Sequence, residues 1–333
     1  MHFTWNQLRI FDAVARHLSF TRAAEELHVV QPTVSAQIKL LNASVGMPLF
    51  EQIGKKVHLT AAGRELQQTC RELFDAWNRF EMSIADLQGM KRGALRVSIV
   101  STAKYFVPRM LGPFCRRYPD IDVALEIINR DAVVERLAAN ADDLYVMGVP
   151  PEHLDVESHP FLENPLVMIA SHDHPLAHTR SIALKQLAKE RFITREQGSG
   201  TRISAEELFR HQRFKPKLTM RLGNNEAIKW AVAGGLGVAV ISQHALLVEP
   251  MRDRLALLDV QGFPIQGSWN VVYPAGKKLS VIAQTFFDYL KEESLVIHEE
   301  LVLAARENRM PPKASGRRAP APAAKGTRIR ATR

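Results

Sequence analysis

The sequence predicts a mainly α N-terminal domain of the winged helix-turn-helix type, then a long single helix, then a larger α/β domain. Two short amphipathic helix patterns, joined by a tight polar turn, lie between residues 19 and 39. Between residues 66 and 87 apolar side chains recur at alternating steps of four and three. From residue 95 strand and helix patterns alternate, as in α/β proteins. A chain of 333 residues is long enough for two or three domains with their own cores.

The two short patterns fit a helix-turn-helix, whose second helix enters the DNA major groove. Ser19 is the expected N-cap of the first helix, which places Phe20, Ala23, Ala24 and Leu27 on one face. In the second, Pro32 is expected at the first helical position with Gln31 near the cap, and Val34, Ile38 and Leu41 face inward. Two amphipathic helices of an ordinary bundle are the alternative. The remaining or flanking side chains are candidate contacts to bases and phosphates: Ser19, Thr21, Gln31, Pro32, Thr33, Ser35, Ala36, Gln37 and Lys39.

The flanking segments favour the DNA-binding interpretation. Upstream, Thr4 and Gln7 have the spacing of a capping box before a helix whose apolar stripe is Leu8, Phe11, Ala15 and Leu18. Downstream, residues 51–60 resemble two short strands around a turn that carries Lys55 and Lys56. Such a wing would place both cations near DNA phosphates, and a solvated charged turn is the alternative.

A long helix is predicted from a Thr60 cap to about Gly89. Its apolar residues form a heptad seam over three heptads, and a single helix cannot bury such a seam alone. We therefore expect it to pair with a second copy of the chain, which would match a palindromic DNA site. Packing against the rest of the same chain is the alternative. The seam consists of Leu66, Cys70, Leu73, Trp77, Phe80, Ile84 and Leu87.

Residues 1–92 resemble the DNA-binding domain and linker helix of the LysR-type bacterial transcriptional regulators. The segments that carry the resemblance are SFTRAAEELHV, QPTVSAQIKLL, GMPLFEQ and LTAAG. The resemblance implies that Gln31, Pro32 and Ser35 contact bases. It also marks two departures, because Ala36 stands where the family commonly has Arg and Asn42 where it usually has Glu. The first departure removes one usual guanine contact.

The resemblance extends more weakly to residue 295 and implies a two-lobed effector-binding domain like a small periplasmic binding protein. The expected organisation is a DNA-binding domain over 1–60, a dimerisation helix over 61–89, a hinge over 90–94 and an effector domain over 95–295. Within the effector domain, lobe 1 is expected at 95–164 and 268–295 and lobe 2 at 165–267. Residues 296–333 are expected to form a helical extension and a disordered basic tail.

The net charge of +9 is mainly a property of the tail. Residues 306–333 contain nine Lys or Arg and one acid, or +8, which leaves +1 for the other 305 residues. The DNA-binding prediction therefore rests on the placement of Lys39, Lys55 and Lys56 rather than on overall basicity. The tail could add nonspecific DNA affinity, or it could be only a solvated extension.

Composition also limits where the protein acts. No apolar run reaches membrane-spanning length, and Met1 to Phe11 lacks the features of a signal peptide. The two cysteines, Cys70 and Cys115, lie far apart and are expected to be reduced, partly buried thiols. We therefore expect a cytoplasmic protein without a membrane partner.

The effector site is expected where strands end and helices begin, because unpaired N–H groups there favour anions. Ser101 and Thr102, followed by Lys104, end one strand and are predicted to start a helix that runs to Arg117. The segment Gly198–Arg202 is a Gly-rich entry to another helix, with Thr201 and Arg202. The alternative is that these hydroxyls merely cap their helices. Further candidates at strand ends are Asn129, Arg130, Gly148, Val149 and Arg195.

Catalytic signatures are missing from the sequence: it has no HExxH, no Gly-x-Ser-x-Gly and no P-loop. The segment 234–240 precedes a strand, so it fails as a dinucleotide loop, and close backbone approach explains its glycines better. His172 and His174 have a spacing that resembles a metal-binding cluster, but Pro175 follows them directly and the segment is better explained as a loop. We expect no catalytic residue, no metal and no cofactor.

Within the family, residues 102–127, 135–151, 163–177 and 196–202 are most similar to the regulators of RuBisCO and carbon-fixation operons. This similarity implies an activator that responds to a small anionic metabolite. Its expected partners are double-stranded promoter DNA, further copies of itself in a homodimer or homotetramer, and RNA polymerase. A LysR-type regulator of another metabolic operon, and a small-molecule-binding protein without a DNA role, are the alternatives.

Overall fold

The computed structural model describes residues 2–54, 56–87, 92–246 and 254–309. The N-terminal part contains three helices and an antiparallel hairpin, and a long helix follows it directly. The predicted winged helix-turn-helix with its long helix is confirmed. The elements are α1 (Trp5–His17), α2 (Phe20–Glu26), α3 (Gln31–Val45), β1 (Phe50–Ile53), β2 (Lys56–Leu59) and α4 (Ala61–Leu87).

The caps of the first two helices form as the sequence predicts. The Thr4 hydroxyl accepts from the Gln7 amide at 3.2 Å, and the Gln7 side chain accepts from the Thr4 amide at 2.8 Å. Ser19 caps α2 by accepting from the Arg22 amide at 3.3 Å. The prediction for Leu18 was wrong: it ends α1 in the left-handed conformation and is 44% exposed, because the chain turns there towards α2.

Helix α3 begins one residue earlier than predicted. Val30 is its N-cap without a side-chain hydrogen bond, so Pro32 occupies the second helical position. This costs nothing, because the N–H groups of the first turn lack helical partners anyway. Val34, Ile38 and Leu41 are buried as predicted. Asn42, the departure from the family pattern, accepts from the Leu49 amide at 3.1 Å and so fixes the turn towards the wing.

The predicted seam of α4 divides into two parts. Its first residues, Leu66 and Cys70, pack into the core of the N-terminal domain, and Cys70 is fully buried. The remaining described members point outward, with exposed fractions between 40% and 53%. The prediction of an unbroken dimerisation seam is therefore wrong for the first turns of α4, because α1 already packs against that face. The exposed members are Leu73, Trp77, Phe80 and Ile84, and we call them the linker face; the side chain of Leu87 lies outside the described residues.

Polar contacts also join α4 to the α/β domain. The Arg71 guanidinium donates to the carbonyl of Ala139 at 3.0 Å, and the Asn140 amide donates to the Asp75 carboxylate at 2.8 Å. Part of α4 is thus held by its own chain, which was the alternative interpretation of the seam.

The α/β part contains two five-stranded sheets, each with its own strand order. In the first, which we call lobe 1, the order is β4-β3-β5-β12-β6, formed by β3 (Gly93–Val100), β4 (Ile121–Ile128), β5 (Leu144–Met147), β6 (Val156–Glu163) and β12 (Ser268–Pro274). Its helices are α5 (Val107–Arg117), α6 (Arg130–Ala138) and α9 (Val281–Arg309). In lobe 2 the order is β11-β7-β10-β8-β9, formed by β7 (Leu166–Ser171), β8 (Arg191–Arg195), β9 (Lys217–Leu222), β10 (Val238–Ser242) and β11 (Leu255–Leu257). The helices of lobe 2 are α7 (Gly200–His211) and α8 (Asn225–Ala233).

The chain passes between the lobes twice, between Glu163 and Leu166 and between Leu257 and Ser268. The short strand β11 was not predicted, since three half-buried residues leave little periodicity to recognise. Gly237 shows the close approach expected of the Gly-rich segment: it has a φ of +154°, and a β-carbon there would overlap the Arg191 carbonyl.

Several predicted segments are placed differently or lie outside the described residues. Residues 93 and 94 belong to β3 rather than to a hinge, whereas 88–91, Lys55 and the tail 310–333 are not among the described residues. Cys115 is exposed, not partly buried. No described helix is both long and apolar enough to cross a membrane.

Candidate functional site: recognition helix and inter-lobe pocket

The start of α3 presents a polar surface to solvent. Gln31, Pro32, Thr33, Ala36 and Lys39 are exposed, and Ser35 and Gln37 are half-buried. The Gln31 amide nitrogen donates to the Ser35 hydroxyl at 2.8 Å, so these two side chains hold each other in position. Side chains that are ordered before binding lose less conformational entropy when they meet a base edge.

The other candidate DNA contacts have different surroundings. The Ser19 oxygen serves as the cap of α2, and Thr21 is exposed in the first turn of that helix. Lys56 is exposed at the start of β2, next to the hairpin turn. Lys55 lies outside the described residues.

An ion cluster fixes α2 against α1 and thereby sets the angle of the two-helix unit. The Arg16 guanidinium donates to both Glu26 oxygens at 2.9 and 2.6 Å, and the His17 ring lies 2.5 Å from the same carboxylate. The hydrogen bond from Arg16 is the main reason that the pKa of Glu26 falls to about 2. The cluster is partly exposed, so we assign it orientation rather than a large share of stability.

A second site lies between the two lobes of the α/β part. It has a volume of about 50 Å³ and gathers residues from both sheets and from the crossing segments. Seven of the ten predicted effector residues line it, namely Ser101, Thr102, Arg130, Gly148, Val149, Arg195 and Thr201.

Arg195 connects the two lobes at this pocket. It is 3% exposed and stands at the end of β8 in lobe 2. Its guanidinium donates to the hydroxyls of Ser101 at 3.1 Å and Thr102 at 3.2 Å, both from lobe 1. It also donates to the Asn225 side chain at 3.0 Å and, through two nitrogens, to both oxygens of Glu196 at 2.7 Å.

The capping interpretation fails for Ser101 and Thr102. Both lie inside the 3₁₀ helix Ser101–Tyr105, which is separate from α5, and their hydroxyls accept from Arg195 instead of from backbone amides. At α7 the N-cap is Ser199, without a side-chain cap, so Thr201 lies inside the helix. Gly198 has a φ of +78°, and a β-carbon there would overlap the Asp131 carboxylate of lobe 1. These turns are therefore shaped by contact between the lobes.

Three predicted effector residues point elsewhere. Lys104 pairs with Glu226 at 3.0 Å, Asn129 caps α6 by accepting from the Ala132 amide, and Arg202 pairs with Glu206 at 2.6 Å. Tyr105 donates to the same Glu226 at 2.6 Å, which forms a second link between the lobes. Burial would raise the pKa of Glu226, but the hydrogen bonds from Tyr105 and Lys104 lower it below its ordinary value.

Sequence reasoning missed the pocket residues that come from the crossing segments. Asn164 and Gln266 lie beside the two passages between lobes, where no periodic pattern marks them. Asn164 accepts from the Ser242 hydroxyl at 2.7 Å. One signal was available, because Ser199 lies within the Gly-rich segment 198–202, and Glu196 and Ser204 lie two residues beyond its ends. Trp269, on β12, is an apolar strand residue by pattern, yet it also lines the pocket.

His244 is fully buried next to the crossing segments, between the rings of Phe106 and Trp269 at centroid distances of 4.9 and 5.9 Å. Its Nε2 donates to the Glu163 carbonyl at 2.9 Å, and its Nδ1 has no hydrogen-bond partner among the described residues. Burial lowers the pKa of His244 from 6.5 to about 4, so this ring is neutral in the folded protein at pH 7.

We expect this histidine to make the protein less stable in mild acid. The unfolded chain takes up a proton below about pH 6.5, whereas the folded chain does so only below about pH 4. Stability is therefore lost as the pH falls from 6.5 towards 4, by about 2 kcal/mol at pH 5. Thermal unfolding at pH 7 and pH 5 measures this loss. His244→Asn should flatten the dependence, whereas the exposed His153→Asn should leave it intact; equal slopes in both variants would contradict the assignment.

The fold and these two sites define a class of protein: a DNA-reading helix-turn-helix domain joined through a long helix to a two-lobed ligand-binding domain. Comparison with known families agrees. Residues 5–64 match the model for bacterial regulatory helix-turn-helix proteins of the lysR family, and residues 88–295 match the LysR substrate binding domain. The chain belongs to the LysR family of transcriptional regulators.

Three relatives are informative. The transcriptional activator CmpR of Synechocystis is 48% identical over 303 residues, which span 91% of this chain and 98% of CmpR. A RuBisCO operon transcriptional regulator of Acidithiobacillus ferrooxidans is 49% identical over 289 residues, 87% of this chain and 94% of that protein. The solved regulatory domain of Synechocystis CcmR in complex with 2-PG is 48% identical, with a TM-score of 0.59, and covers 61% of this chain and 98% of that domain.

Proposed function

We propose that this protein activates a carbon-fixation operon, such as one encoding RuBisCO, when a small phosphorylated carboxylic acid binds between its lobes. The observation that carries the proposal is the near-50% identity, over almost the whole chain, to CmpR and to a RuBisCO operon regulator. Dimers or tetramers would bind an extended promoter site and contact RNA polymerase from it. Effector binding would change how the lobes sit and thereby the spacing or bend of the bound DNA.

The inter-lobe pocket supports the effector class. Hydroxyls and a buried guanidinium meet there beside the first turn of α7, and all three features favour an anion. The CcmR domain, 48% identical, was solved with 2-PG, or 2-phosphoglycolate, which carries a phosphate and a carboxylate. We therefore take 2-phosphoglycolate as the first effector to test.

The decisive experiment combines DNA and effector. Purified protein is titrated onto the intergenic fragment upstream of the RuBisCO genes, with and without 2-phosphoglycolate, and the protected bases are mapped. We expect specific protection whose pattern changes with the acid, together with increased transcription in a reconstituted reaction with RNA polymerase. Specific binding only to an unrelated promoter would replace the carbon-fixation target with another operon.

The assignment of the recognition helix has its own test. Gln31→Ala should reduce the preference for operator over scrambled DNA by about 1–3 kcal/mol, the usual worth of a bidentate base contact. Fluorescence anisotropy with both DNAs measures the ratio of dissociation constants. Because Gln31 and Ser35 are hydrogen bonded, the effects of Gln31→Ala and Ser35→Ala should be less than additive.

The matched control is Lys56→Ala on the wing. Loss of a phosphate contact should weaken binding to both DNAs alike and make the salt dependence shallower. If Gln31→Ala left the operator preference unchanged, α3 would not be reading the bases at that position.

A further inference from the structure

The hydrogen bonds of Arg195 have a consequence for effector selection. Its guanidinium has five N–H groups, and the structure gives it five hydrogen bonds. A new anion can therefore bind Arg195 only by replacing one of the present acceptors.

One of these acceptors differs from the others in charge, and its side chain is partly exposed. Ser101, Thr102 and Asn225 offer neutral oxygens, whereas Glu196 offers a carboxylate that takes two of the five bonds. The Glu196 side chain is 28% exposed and lines the pocket, so it can rotate into solvent without unpacking a core. Glu196 is therefore the acceptor that an incoming anion would replace at the lowest free-energy cost.

The size of the pocket leads to the same conclusion. Its volume of about 50 Å³ is several times smaller than the ~300–1,000 Å³ of ordinary ligand pockets. A phosphorylated acid does not fit beside the present side chains. Rotation of Glu196 would open space next to the guanidinium and leave two N–H groups ready for an oxyanion.

We propose that Glu196 is a built-in competitor that selects the effector by its charge. In the free protein its carboxylate occupies the anion position on Arg195. A ligand must displace it, and the displaced charge remains close by, which disfavours weakly held monoanions. A small acid with both a phosphate and a carboxylate overcomes this competition, because a second anionic group can bind beside α7 while the first one takes Arg195. This inference rests on the proposed function of the pocket and adds the residue that sets its selectivity.

The test measures binding of three anions to the full-length protein by calorimetry: 2-phosphoglycolate, glycolate and inorganic phosphate. Glu196→Gln removes the charge and keeps one acceptor. We expect it to increase affinity for glycolate and phosphate by tenfold or more, and affinity for 2-phosphoglycolate by less, so that discrimination falls. Glu196→Asp, which retains the charge, should lose less discrimination than Glu196→Gln.

The matched control is Glu206→Gln, which removes the same charge from α7 at a residue that pairs with Arg202 and does not line the pocket. It should leave all three affinities at wild-type values. Unchanged or weaker binding of glycolate and phosphate to a folded Glu196→Gln variant would overturn the proposal. If the variant gained phosphate and glycolate binding while wild type bound no 2-phosphoglycolate, the competitor role would stand and the effector assignment would fail.

Discussion

Replacing Trp77 and Phe80 together by alanine is expected to raise the dissociation constant of the dimer at least a hundredfold. Both rings belong to the linker face, and they are 49% and 53% exposed in the single chain. In a two-fold pairing of α4 helices the change removes four aromatic side chains, each worth about 1.5–3 kcal/mol when buried. Even if pairing gains only half of the lower value for these four side chains, their removal costs about 3 kcal/mol, which raises the dissociation constant about a hundredfold.

Sedimentation velocity over a range of concentrations measures this effect directly. DNA affinity should fall with it, because one recognition helix would then bind without its twin. Phe80→Ala alone separates the interface from the fold, since Trp77 also packs against Trp5 at a centroid distance of 5.7 Å. Leu295→Ala, at a 71% exposed site on α9, is the control that should not alter assembly. A double variant that stays dimeric at low concentration would move the interface away from α4.

Replacing Thr102 and Thr201 together by valine is expected to weaken 2-phosphoglycolate binding at least a hundredfold and to abolish the effector response. Both side chains are at least nine-tenths buried and line the inter-lobe pocket, one from each lobe. A hydrogen bond to a charged group contributes about 1.5–3 kcal/mol. The loss of two such hydroxyls therefore raises the dissociation constant of the effector by more than a hundredfold. DNA affinity without effector should be unchanged.

Thr102 carries a structural role as well. Its hydroxyl accepts from Arg195 at 3.2 Å and from the Asn225 amide at 3.3 Å, so Thr102→Val should also destabilise the closed lobes by about 1–3 kcal/mol. Thermal unfolding of each single variant separates this cost from ligand binding. Thr219→Val, whose hydroxyl donates to the Phe192 carbonyl outside the pocket, serves as the matched control. An intact response in the double variant would place the effector elsewhere.

Local patterns predicted the helices well where one face had to be buried. Val34, Ile38 and Leu41 follow the helical period and are buried, and the Thr4–Gln7 capping box forms as its spacing indicates. The short strand β11 shows the limit, since it depends on pairing with β7 and not on its own three residues.

The sequence by itself determined that this chain has a reading helix, a wing, a long helix with an apolar face, and a set of polar residues at strand ends. Those features depend on short spacings along the chain. Only the tertiary structure decided that α1 covers the first turns of the seam and that Lys104, Asn129 and Arg202 turn away from the pocket. It also decided that the five N–H groups of Arg195 donate hydrogen bonds to residues up to 94 positions away in the sequence. The hydrogen bonds between polar side chains of the two lobes depend on how the lobes pack, and a local sequence pattern carries no information about that packing.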